Sequence, residues 1–169
     1  MRLHRIWDLQ AASTARGHSR STDSGARSTA RMNTDEIRQH KIILFDGVCN
    51  LCNNSVVFVL QHETRPEFNF ASIQSDAGRQ LLIWCELPGE YSEAVVLIDH
   101  GKKYLGSTAA LKIGQALKFP WSFIASLGLI IPKFVRDWVY NQIGKHRYQW
   151  FGKRDVCMIP TENLRSRFL

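Results

Sequence analysis

A chain of 169 residues, 44% of them hydrophobic, is long enough for one domain with a sizeable core and too apolar for a wholly disordered chain. Its formal charge of +7 is uneven: residues 1–31 hold six arginines against two aspartates, a net +4, so the remainder carries only +3. That mild basicity, without a nucleic-acid-binding motif, argues against a nucleic-acid partner. Four cysteines at irregular spacing do not make the framework of a disulfide-rich secreted domain.

Residues 1–38 are dominated by Ser, Thr, Arg, Ala and Gly and are expected to form a disordered leader. Two readings compete for it. Its Arg- and Ser-rich composition resembles an organellar transit peptide. Alternatively it is a translated upstream extension and Met32 is the true start, which the reading favours.

The next stretch organises the chain. Lys41–Phe45 is a short, partly β-branched apolar run, as a buried strand should be. Asp46-Gly47 makes a turn, and Cys49 and Cys52 follow at CxxC spacing, ahead of apolar residues Val56, Val57, Val59 and Leu60 that suit a buried helix. A helix N-terminus has unpaired N–H groups and the positive end of the dipole, so it favours a thiolate at Cys49. Cys49 would then attack a disulfide, as the more exposed of the two, and Cys52, one turn on, would resolve the mixed disulfide. The rival readings are half of a zinc site or two inert thiols. Cys85 and Cys157 are isolated and no close His pair exists, so no metal site is expected. Asp46 is a candidate proton relay; the plainer reading is that it only makes the turn.

Asp46-Gly47-Val48-Cys49-Asn50-Leu51-Cys52 resembles the DGxCxxC signature of the DCC family of thiol-disulfide oxidoreductases. The resemblance continues through 68–82, 95–99, 107–111 and 139–157, in order. It implies a thioredoxin-like fold and no particular substrate.

Patterning gives the same fold class, α/β. Phe68 and Phe70 mark a second strand, with Ile73 one step out of phase. Ser75-Asp76 caps a helix from Ala77 to about Cys85, a position where cysteine usually serves as a small buried hydrophobe. Ala94–Asp99 is a third strand, His100-Gly101 a turn and Lys103–Leu105 a fourth, followed by a helix over Ala109–Lys118. The order is β-α-β-α-β-β-α, a thioredoxin-like core over residues 39–118. Thioredoxins carry a cis-proline before the third of these strands; here the position falls in 90–93, which has no proline, so Ser92 or Glu93 is expected to fill it.

Residues 119–169 are expected to form a helical extension packed on the core. Phe119–Ile131 is too short to span a membrane and reads as a packed helix in preference to a membrane-surface patch. Pro132–Gly144 is a second helix, with Phe134, Val135, Trp138, Val139 and Ile143 on its apolar face. In the basic-aromatic tail that follows, Arg147 is a candidate for stabilising a thiolate or binding an anionic substrate such as glutathione. His146 departs from the family's usual KNRY. Cys157 reads as structural.

The function expected is a thiol-disulfide oxidoreductase with no cofactor, acting on a disulfide-containing protein or a small thiol, and recharged by an unidentified thiol donor. A reducing compartment suits it, the cytoplasm or, if the leader is a transit peptide, an organelle. The alternatives are a non-catalytic binding module or a redox sensor.

Overall fold

The computed structural model describes residues 34–89, 91–153 and 162–169. The elements are α1 (Thr34–Gln39), β1 (Lys41–Phe45), α2 (Asn50–His62), β2 (Phe68–Ser72), α3 (Asp76–Trp84), β3 (Val96–Asp99), β4 (Lys102–Leu105), α4 (Gly106–Gln115), α5 (Trp121–Ile130) and α6 (Lys133–Phe151), then a 3-10 helix over Glu162–Arg167. The strands form one mixed sheet in the order β2-β1-β3-β4. β1 runs parallel to β2 and antiparallel to β3, which pairs antiparallel with β4. This is a thioredoxin-like α/β fold.

The period-2 alternation of β1 divides the core. Ile42 and Leu44 join Ile37, Leu81, Leu82 and Cys85 on one face of the sheet. Ile43 and Phe45 join Val56, Val59, Phe70 and Ile113 on the other. Ile73 is out of phase with Phe68 and Phe70 because it lies past the end of β2 and packs into the opposite face's cluster.

Local chemistry sets the ends of the elements. The Ser75 hydroxyl caps α3 by accepting the Gly78 N–H at 3.0 Å. His100 and Gly101, at φ +47° and +81°, give the β3–β4 hairpin the left-handed two-residue turn that matches strand twist. The last residues close the outer edge of β2. Phe168 stacks on Phe70 with ring centroids 5.3 Å apart, and the Leu169 N–H donates to the Phe70 carbonyl at 2.9 Å.

Four expectations are corrected. The leader was expected to be disordered to residue 38, but residues 34–39 are helical because Ile37 has a core site to fill; residues 1–33, Met32 among them, and Cys157 lie outside the described residues. α4 starts at Gly106, three residues early, since that glycine at φ +57° turns the chain straight from β4 into the helix. α6 does not stop at Gly144 but runs to Phe151, making the basic-aromatic tail part of one helix. The fourth concerns packing. Of α5 only Ala125 is buried, and of α6 only Arg147. Phe119 (81%), Ile130 (77%), Phe134 (76%) and Trp138 (64%) face outward, so the apolar faces expected to pack are largely exposed. α5 instead approaches α4 through small residues, with Ala125 against Gly114 and Gly128 against Leu111. Among the described residues no helix is long and apolar enough to cross a membrane.

Gly78 is where α3 comes closest to the sheet: a Cβ there would lie 1.9 Å from the Ser72 carbonyl oxygen. Backbone cannot yield as a flexible side chain does, so Gly78→Ala should cost at least about 3 kcal/mol, the upper end for overpacking. The check is urea denaturation against wild type.

Candidate active site

The site forms where β1 ends. After Phe45 the chain turns through Asp46, Gly47 and Val48, and Cys49 takes the N-cap position of α2. Asn53 secures the turn from within the helix. Its buried amide donates to the carbonyls of Gly47 (2.7 Å) and Cys49 (3.0 Å). Cys52 lies one turn on, within hydrogen-bonding contact of Cys49, and both thiols are free.

The exposure of the two cysteines is the reverse of the expectation. Cys49 is fully buried and Cys52 half-buried. The cause is the end of α6, which sequence reasoning did not bring to this place. The Asn50 N–H donates to the Gly152 carbonyl (3.4 Å), the Asn50 side-chain amide donates to the Phe151 carbonyl (2.8 Å), and Cys49 pairs with Lys153 in an isolated β-bridge. Residues 151–153 therefore form a strap over Cys49. Cys52 looks the other way, into a cavity between α2, α4, α5 and α6.

Cys52 keeps its proton. Burial pushes its thiol up to about 12, helped by its hydrogen bond to Cys49 and by negative charge there, while Arg147 opposes the rise. Cys85 is buried in the core, where desolvation pushes its thiol up to about 11 against the pull of Lys103.

Asp46 is the hub. One carboxylate oxygen accepts the Val48 N–H (3.2 Å) and the Gln74 side-chain amide (2.9 Å). The other accepts the Arg147 guanidinium (3.2 Å) and the Tyr148 hydroxyl. Arg147, 6% exposed, also donates to the carbonyls of Ser92 and Glu93 and to the Tyr148 hydroxyl. Those two carbonyls belong to the stretch before β3 where thioredoxins carry a cis-proline and this chain has none, so Arg147 holds this stretch in place. Its terminal nitrogens donate to protein acceptors, while its buried Nε–H has no partner. Gln74, Tyr148, Asn50 and Asn53 escaped sequence reasoning. Only Asn50 and Asn53, one and four residues after Cys49, were close enough in sequence to be found. Among the described residues no group of three or more His, Cys, Asp or Glu side chains gathers as a metal site.

A contacting pair of free thiols at the N-terminus of α2, directly after the first strand of a thioredoxin-like sheet, defines a dithiol protein of the thioredoxin-like class. The chain belongs to the DCC1-like thiol-disulfide oxidoreductase family, whose model matches residues 43–153. It is 42% identical over 136 residues to the uncharacterized protein YuxK of Bacillus subtilis, an alignment covering 80% of this chain and 98% of that one. It is 39% identical over 116 residues to a chloroplastic DCC family protein of Arabidopsis thaliana, covering 69% and 67% respectively. No solved structure matches it significantly.

Removing one member of a buried ion pair strands the other in a poorly solvated site. Asp46→Ala should therefore lower unfolding stability by about 3–5 kcal/mol. Adding Arg147→Met should recover part of the loss, giving a positive coupling in a urea-denaturation double-mutant cycle.

Proposed function

We propose that the chain is a thiol-disulfide oxidoreductase in which Cys49 is the nucleophile, Cys52 the resolving thiol and Asp46 a positioning residue. The observation that carries this reading is the contact between two free thiols at the N-terminus of α2, with Cys52 holding its proton. A Cys49 thiolate there accepts the Cys52 S–H and sits at the positive end of the α2 dipole, where Cys49 holds the N-cap position.

In the cycle, the Cys49 thiolate attacks a substrate disulfide, forms a mixed disulfide and expels one substrate thiolate, which takes a proton from solvent. At that moment Cys49 loses its charge and its role as acceptor for Cys52, two of the causes that hold the Cys52 thiol up. Arg147 continues to favour the Cys52 thiolate. Cys52 then gives its proton to solvent and attacks the Cys49 sulfur. This forms the Cys49–Cys52 disulfide and releases the second substrate thiol. Two electrons pass to the substrate, and a thiol donor must restore the dithiol. The strap at 151–153 has to move for a protein disulfide to reach Cys49. Asp46 holds the turn and Arg147 through its four hydrogen bonds, which makes it a better anchor than proton relay.

The cycle needs a reducing compartment. The cytoplasm supplies one, and so does an organelle of the kind in the name of the Arabidopsis relative.

The test is reduction of a protein disulfide by the purified chain with a dithiol donor. Wild type should turn over, Cys49→Ser should fall to the uncatalysed rate, and Cys52→Ser should stall as a mixed disulfide on Cys49. Equal activity in all three proteins would reject the reading.

A further inference from the structure

The cavity beside the dithiol measures about 610 Å³, within the range of small-molecule sites. Its head is Cys52, its floor is Ile43, Phe45 and Phe70 of the sheet, and its far wall includes Trp121 and Ile124 of α5. Cys49 is not among its lining residues. The dithiol therefore has two sides: Cys49 under the strap, and Cys52 open to an apolar chamber.

Most of the chamber's polar groups are engaged, although the Arg147 Nε–H has no partner and the Tyr140 hydroxyl keeps its proton free to donate. Asp46 and Arg147 neutralise each other, the Tyr140 hydroxyl accepts the Val95 N–H at 3.0 Å, and the Ser55 hydroxyl donates to the Leu51 carbonyl. Glutathione, with two carboxylates and an ammonium, would shed the hydration of three charges here for two free donors and no unpaired charge, since the charge of Arg147 is already met by Asp46. An uncharged molecule with an apolar arm loses nothing by entering and gains from burial.

Resting on the oxidoreductase reading, we infer that this cavity is the binding site of the electron donor, a small uncharged dithiol on an apolar arm, of the dihydrolipoyl type. In the oxidised protein the sulfur that such a donor meets is Cys52. One donor thiolate attacks it, forming a donor–Cys52 disulfide, and the Cys49–Cys52 bond breaks. Cys49 leaves as a thiolate at the N-terminus of α2. The donor's second thiol loses its proton and attacks the donor sulfur in the mixed disulfide, closing a cyclic disulfide. The departing Cys52 thiolate takes up a proton. The donor gives up two electrons and the protein gains them. Disulfide substrate and dithiol donor thus use opposite sides of one redox centre.

The experiment follows the loss of the Cys49–Cys52 disulfide in oxidised full-length protein, by quenched alkylation and mass spectrometry. Dihydrolipoamide is compared with dithiothreitol, a hydrophilic dithiol that also closes a ring, at equal thiolate concentration. Dihydrolipoamide should be at least about 10-fold faster, against the background of intrinsic thiol reactivity. Ala110→Trp places a large ring at an exposed cavity-lining position on α4, an element that carries neither thiol. It should remove that advantage while leaving the dithiothreitol rate unchanged. Equal rates for the two dithiols in wild type, or equal slowing of both by Ala110→Trp, would overturn the donor site while leaving the oxidoreductase reading intact. Failure of any Cys49–Cys52 disulfide to form would overturn both.

Discussion

The ion pair between Asp46 and Arg147 is the constraint on which the site depends. It joins the turn that ends β1 to Arg147 of α6, 101 residues later. Taking both charges out of water is expensive, and a buried pair persists only when the remaining hydrogen-bonding positions are filled. Most are filled here, by Val48, Gln74 and Tyr148 on the carboxylate and by the Ser92 and Glu93 carbonyls on the terminal nitrogens of the guanidinium, and only the Arg147 Nε–H of this pair is left without a partner. One interaction thus fixes the CxxC turn, the loop before β3 and α6 together. Arg147 is the one buried residue of α6, while most of that helix's large apolar side chains face out. A polar anchor therefore registers this helix where an apolar stripe normally would.

The chemistry of the thiols follows from that registration. With α6 fixed, its C-terminal end reaches the start of α2, and the strap at 151–153 covers Cys49. With α6 standing off from α2 and α4, a cavity remains beside Cys52. The environment of Cys52 favours the thiol through burial first, then through Cys49 and Asp46, against the pull of Arg147, so both members of the ion pair act on it. Access and protonation are consequences of one packing arrangement.

Much of the fold was legible because its signals are local. The apolar run at 41–45, the Ser75 cap and the His100-Gly101 turn each specify an element from a few neighbouring residues. The CxxC and its placement at a helix start were legible for the same reason. What was not legible is long-range. Arg147 could be singled out, but nothing in the sequence says that it would be buried against Asp46, 101 residues away. The relative exposure of Cys49 and Cys52 depends on where residues 151–153 land, so helix geometry alone gave the wrong order. The apolar residues of α5 and α6 misled because periodicity reports an apolar face without saying what covers it.

In the proposed function Cys49 and Cys52 form one reversible two-electron couple. The direct measurement is a redox titration of the purified protein in glutathione buffers, quenched by alkylation and read by peptide mass mapping. The account predicts an intramolecular Cys49–Cys52 disulfide that forms and disappears together at both cysteines, with the slope of a two-electron process. Independent glutathione adducts on the two cysteines, with no bond between them at any potential, would contradict it.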